Sequence, residues 1–114
     1  QIFADVHVKH AVPLGNSTIE NAARDTVERG LVDALIVSGA GTGLEAELAD
    51  VERVRRTAPG TKLLLGSGVN TENVRSFLRV ADGFIVGSSL KLHGQLYNPV
   101  DARRVAALVR AMRG

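Results

Sequence analysis

Apolar and polar positions along this 114-residue chain switch between a two-residue and a 3.6-residue period, in a fixed order. Residues 2–9 alternate and read as a strand. In residues 18–29, Ile19, Ala22, Ala23, Thr26 and Val27 follow the spacing of one helix face. Ser17 is the expected N-cap, Glu20 completes a capping box, and Gly30 offers a left-handed stop. A second strand at 33–38 leads to a helix at 43–57. Thr42 and Glu45 form its capping box, Leu44, Leu48, Val51 and Val54 its buried stripe, and Pro59-Gly60 its end. The third unit is a strand at 62–66 and a helix at 71–80, capped by Asn70 and buried through Val74, Phe77 and Leu78. The fourth is a strand at 83–87 and a helix at 99–113. Asn98 is its expected cap, Pro99 its first residue and Asp101 its third, while Arg110 and Arg113 suit the dipole of the last turn.

Strict strand–helix alternation with short connections predicts a parallel α/β sheet with right-handed crossovers, in one domain over residues 1–114. Residues 32–39 (VDALIVSG) are echoed two units later by residues 81–88 (ADGFIVGS); this fits an internal duplication or the common chemistry of buried strands. Four units can curve into half of a TIM-type (β/α)8 barrel, helices outside, or lie open with helices on both faces. The first strand separates these. Ile2, Ala4, Val6 and Val8 share one face, and Phe3, Asp5, His7 and Lys9 the other. A strand covered on both sides is apolar on both; the ionisable row here suits a barrel lumen. A lone half-barrel leaves two strand edges unpaired, and unpaired edges invite association. A two-fold homodimer, joining strand one of each copy to strand four of the other, closes an eight-stranded ring.

Two glycine turns carry the clearest chemistry. Lys62-Leu63-Leu64-Leu65 runs into Gly66-Ser67-Gly68-Val69, and Gly83-Phe84-Ile85-Val86 into Gly87-Ser88-Ser89. Each puts bare backbone N–H groups at the C-terminal end of a strand, where barrels and open α/β sheets bind ligands. Phosphate needs several such donors aimed at one point, and glycine lets the backbone approach closely. Gly66, Ser67, Gly68, Gly87, Ser88 and Ser89 are therefore the candidate phosphate-binding residues, with a short helix near Ser88 adding its positive end. The same glycines also serve tight turns without any ligand.

Asp5, His7 and Lys9 form the candidate catalytic row. Asp5 and His7 suit acid–base work, and Lys9 a phosphate contact or a Schiff base. A buried polar ladder explains them as well. No further ligand cluster accompanies Asp5 and His7, so no metal is expected. The loop Ser38-Gly39-Ala40-Gly41-Thr42-Gly43 lacks the Lys-Ser/Thr ending of a P-loop. Ser38, Gly39 and Gly41, with Lys91, are possible ligand contacts, while His10 and His93 read as surface loop residues. No cofactor is expected.

Composition narrows the partners. Apolar residues make up 45%, enough for a real core. The formal charge is +2, with Lys and Arg alternating with Asp and Glu on most helix faces, and aromatics are only 4% with no Trp; this argues against nucleic acid. Cysteine is absent, which fits a reducing cytoplasm. No apolar stretch approaches the ~18 residues that span a membrane, and no signal peptide is visible. The chain opens at Gln1 directly in strand-like sequence, as a piece of a longer or a trimmed chain does.

Residues 4–11 (ADVHVKHA), 36–43 (IVSGAGTG), 66–69 (GSGV), 86–91 (VGSSLK) and 98–101 (NPVD) together resemble the BtpA/SgcQ family of ribulose-phosphate-binding type barrels. The resemblance spans essentially the whole chain and corresponds to strands five to eight of a full-length barrel, leaving the N-terminal half unrepresented. It implies a phosphorylated small-molecule ligand. Cyanobacterial members are linked to photosystem I accumulation, which implies the contrasting possibility of a biogenesis factor acting through protein contacts. A structural half-barrel without a ligand is the third reading, and whether the chain is an enzyme stays open.

Overall fold

A computed structural model describes residues 1–7, 14–38 and 44–114. Four strands alternate with four α-helices: β1 (Phe3–Val6), α1 (Ile19–Glu28), β2 (Ala34–Ser38), α2 (Leu44–Thr57), β3 (Lys62–Gly66), α3 (Val74–Phe77), β4 (Gly83–Ile85) and α4 (Ala102–Arg113). Two short 3-10 turns, Ser88–Leu90 and Leu92–Gly94, stand between β4 and α4.

The strands are all parallel and lie in the order β1-β2-β3-β4. A sheet whose order never reverses, built with crossovers of one hand, collects its helices on one face. The buried residues bear this out. Val6, Leu35, Val37, Leu63 and Leu65 point to the covered face and share a core with Ile19 and Ala23 of α1, Val51 and Val54 of α2, Val74 and Phe77 of α3 and Leu108 of α4. The residues of opposite parity, Phe3, Asp5, Ile36, Leu64 and Ile85, lie outside that core. Phe3 is 54% and Ile85 48% exposed. The arrangement is consistent with a half-barrel rather than an open sheet clad on both sides, and of the expected ionisable row Asp5 lies on the uncovered side.

At the lower rim, where strands begin, two aspartates do the same work. Asp33 accepts from Ile2 N at 2.6 Å and returns its own N–H to Ile2 O at 2.8 Å. Asp82 accepts from Leu63 N at 2.8 Å and returns its N–H to Leu63 O at 2.7 Å. Each clamps the start of one strand to its predecessor, giving the internal echo of residues 32–39 and 81–88 a shared physical role. Arg55 of α2 reinforces the second clamp, donating to Asp82 Oδ2 (2.6 Å), Val80 O (2.9 Å) and Thr61 O (3.1 Å). The guanidinium bond, with the Leu63 amide, holds the Asp82 carboxyl below its ordinary value.

Several local expectations need correction. Thr18, not Ser17, caps α1, accepting from Asn21 N at 3.2 Å; the Ser17 hydroxyl turns to Thr18 O. The left-handed residue after α1 is Leu31 (φ 50°), and Gly30 is needed for space, since a Cβ there would lie 2.5 Å from Thr26 O. The helix expected over 71–80 is regular only over Val74–Phe77; Asn70 Oδ1 accepts from Glu72 N and Asn73 N, the bonds of the expected cap, and a turn separates it from the helix. In the fourth unit Asp101 caps a helix that begins at Ala102, and Asn98 instead donates to Leu92 O. Pro99 O accepts from Leu92 N, so residues 98–100 belong to a folded excursion rather than to the helix. The first and fourth strands are shorter than predicted, β1 ending at Val6 and β4 at Ile85, while β3 keeps its predicted bounds. The Thr42–Glu45 capping box involves Thr42, outside the described residues.

Candidate functional site

The upper rim, at the C-terminal ends of the strands, brings the two glycine turns together. Ser67, Gly68, Val69 and Asn70 from the β3 turn line one cleft of about 550 Å³ with Ile85, Gly87, Ser88, Ser89, Gly94 and Leu96. Ser67 and Gly68 both take left-handed backbone, with φ of 62° and 75°. Glycine meets that demand at no steric cost, while a serine held there carries strain of roughly 1–2 kcal/mol. Its holder is visible: Ser67 N donates to Ile85 O at 3.3 Å, tying the turn to β4.

This bond also sorts the expected donors. The Ser67 N–H is already engaged, while among the described residues no acceptor takes the N–H groups of Gly68, Gly87, Ser88 or Ser89. Gly66 is buried, and a Cβ there would lie 3.0 Å from Ile36 Cγ2 and 3.5 Å from Ser38 Oγ, so its glycine identity answers to packing across the sheet. The Ser89 hydroxyl donates to Val69 O at 2.7 Å, bracing one turn against the other. The Gly68 carbonyl is drawn to Asn73 Nδ2 at 2.8 Å, and Asn70 N donates to Asn73 Oδ1 at 2.9 Å. Opposing charges flank the cleft: Arg104 of α4 donates to Ser89 O at 3.1 Å, and the Glu47 carboxylate lies 3.7 Å from where a Gly68 Cβ would stand.

The excursion after β4 borders the same cleft. Its base is an antiparallel bridge between Lys91 and Val100. The Lys91 ammonium donates to Leu96 O, so it braces the excursion from within. Gly94 and Leu96 face the cleft, and Tyr97 beside them is 97% exposed.

Asp5 and His7 lie on the other side of the rim. Ser38 Oγ donates to Asp5 Oδ1 at 3.1 Å, across adjacent strands. His7 follows the end of β1 and is left-handed (φ 52°), so strand alternation no longer governs it. It lines a separate cleft of about 450 Å³ with Thr18, Ile19, Glu20, Ser38, Asp50 and Arg53, and its buried Nε2 meets no hydrogen-bond partner among the described residues. Lys9, His10, Gly39 and Gly41 lie outside the described residues. Among the described residues no three His, Asp or Glu side chains converge as a metal site, and no helix is long and apolar enough to cross a membrane.

Sequence reasoning missed Arg104, Glu47, Asn73 and Leu96. Leu96 lines the cleft from the excursion, Arg104 and Asn73 bond to its turns and Glu47 lies beside Gly68, and no spacing along the chain signals that.

The model of the BtpA family matches residues 1–114, end to end. The chain belongs to the BtpA family. Within it, the photosystem I biogenesis protein BtpA of Synechocystis sp. is 45% identical over 111 residues, covering 97% of this chain and 39% of that protein. An uncharacterized protein of Pyrococcus furiosus is 49% identical over 108 residues, covering 95% and 40%. The sgc region protein SgcQ of Escherichia coli K12 is 41% identical over 96 residues, covering 84% and 36%. This BtpA-family chain thus spans about two-fifths of the length of the curated relatives it matches.

Proposed function

We propose that this chain is a phosphate-binding half of a (β/α)-barrel, which a second copy closes into an eight-stranded ring. The observation that carries the ligand reading is that Gly68, Gly87, Ser88 and Ser89, whose N–H groups meet no acceptor among the described residues, line one cleft. Several N–H dipoles around one concavity favour an oxyanion, and the Arg104 guanidinium at Ser89 adds positive potential. The uncovered sheet face and the unpaired edges of β1 and β4 support closure by a partner. On this reading Asp5, His7 and Lys9 are the candidates for acid–base or carbonyl chemistry on a phosphorylated metabolite, and Ser38, Gly39, Gly41 and Lys91 the further candidate contacts.

A second reading, a biogenesis factor acting through protein contacts, draws support from the name of the Synechocystis relative and from exposed Leu96, Tyr97 and Val100 on the excursion.

Thermal unfolding with phosphate against chloride at matched ionic strength separates the two. Phosphate at ten times its Kd raises Tm by roughly 5 °C in a domain of this size. Gly68→Val, whose side chain runs toward Glu47 on left-handed backbone, abolishes the increment whatever its own Tm. No increment at tens of millimolar phosphate sinks the ligand reading and leaves the protein-contact or purely structural ones.

A further inference from the structure

We propose that the cleft at the glycine turns takes a phosphate monoester with an apolar organic group: the oxyanion lies against the Gly68 and Gly87-Ser88-Ser89 amides, and the organic group between Ile85 and Leu96. The inference rests on the phosphate reading above and names the class of ester.

The cleft holds about 550 Å³. That lies within the ~300–1,000 Å³ of sites that enclose whole organic ligands, and a bare oxyanion fills only a small part of it. Beyond the amides, two large apolar side chains of the lining face water. Ile85, at the end of β4, is 48% exposed, and Leu96, on the excursion, 59%. An organic group set between them takes apolar surface out of water on two sides. Both residues are also held. Ile85 O accepts from Ser67 N at 3.3 Å, and Leu96 O accepts from the Lys91 ammonium. Asn98 Nδ2 donates to Leu92 O at 2.8 Å, bracing the excursion further. The apolar pair thus belongs to the same frame as the amides, and binding orders little that is not already ordered.

A hydroxyl-rich ester finds few partners here. Each hydroxyl drawn out of water requires one. Among the described residues no Asp, Glu, Lys or Arg lines the cleft. Glu47 approaches Gly68 and Arg104 donates to Ser89 O, but neither residue lines it. The Ser89 hydroxyl is committed to Val69 O, and Asn70 Oδ1 accepts from Glu72 N and Asn73 N. The cleft therefore discriminates twice, by favouring apolar surface and by leaving a polyol's hydroxyl groups unpaired.

Calorimetric titration near pH 8, where phosphate and its monoesters carry close to two negative charges, compares inorganic phosphate, glycerol 3-phosphate and phenyl phosphate. Charge is matched, so the organic group decides. Phenyl phosphate should bind about tenfold more tightly than either of the others, the equivalent of about 60 Å² of apolar surface withdrawn from water. Its heat-capacity change should be the more negative, and inorganic phosphate should displace it. Leu96→Ser, on the exposed excursion, lowers the preference for phenyl phosphate over inorganic phosphate to about threefold. Ile85→Thr, which keeps a β-branched residue in the strand, does the same; should it not fold, Leu96→Ser alone decides. Equal affinity for all three, a preference for glycerol 3-phosphate, or a phenyl preference untouched by substitution overturns the proposal and leaves the phosphate reading in place. So does phenyl phosphate that inorganic phosphate fails to displace. If none of the three binds, the phosphate reading falls and this one with it.

Discussion

At the lower rim Arg55 commits its guanidinium to three acceptors on two neighbouring segments, and Asp33 and Asp82 each close a two-way clamp. At the upper rim the amides of Gly68, Gly87, Ser88 and Ser89 meet no acceptor among the described residues, and His7 and Ser67 sit in left-handed backbone. One rim spends its polar groups on itself. The other keeps donors unspent. That division of labour is familiar in (β/α)-barrels, whose strand starts hold the fold and whose strand ends hold the ligand. On the proposed function it implies that stability and binding are separable by position, and each half of that claim can be broken.

The largest effect is expected below. Arg55→Ala removes three hydrogen bonds and leaves Asp82 and two carbonyls short of a partner, at a cost of about 2 kcal/mol, read as a lower urea midpoint. Phosphate affinity should not change. A loss of binding larger than the loss of stability would merge the two rims.

The opposite sign is expected above. Ser67→Gly relieves left-handed strain, less the extra freedom of glycine in the unfolded chain, and gains roughly 0.5–1 kcal/mol in the same urea titration. If it destabilises instead, the Ser67 conformation is not strained and the upper rim is ordinary structure.

The smallest effect concerns acid. The Asp82 carboxyl is held below its ordinary value of 3.8, chiefly by the Arg55 hydrogen bond and then by the Leu63 amide. Asp101 is lowered the same way by the Arg103 amide and side chain. A depressed carboxyl contributes stability that is complete above its unfolded value, near pH 4, and is lost as pH falls through its folded value. Urea midpoints between pH 6 and pH 2.5 should therefore fall, and less steeply in Asp82→Asn. An equal slope in that variant would remove Asp82 from the account of the lower rim.

The fold was legible because its signals are periodic and local. The apolar stripe Val51 and Val54, the apolar run Leu63 to Leu65 and the shared parity of Phe3 and Asp5 each needed only a few neighbouring residues. The details that escaped depend on distant partners. Nothing beside Ser67 announces a left-handed turn, since Ile85 O, eighteen residues on, imposes it. Thr18 and Ser17 are equally good caps by chemistry, and a one-residue offset leaves no trace in composition. Pro99 reads as a helix start until the Lys91–Val100 bridge takes it into the excursion. The glycines of the β3 turn pointed to one place but mixed two causes: Gly68 supplies backbone freedom, whereas Gly66 yields room to Ile36.

The excursion has a practical consequence. The chain contains one tyrosine and no tryptophan, and that tyrosine, Tyr97, adjoins Leu96 at the edge of the cleft. Ultraviolet emission from the protein therefore issues essentially from a single point at the mouth of the pocket. Quenching or polarisation of that intrinsic light offers a label-free reporter of whatever enters, with Tyr97→Phe as its dark control.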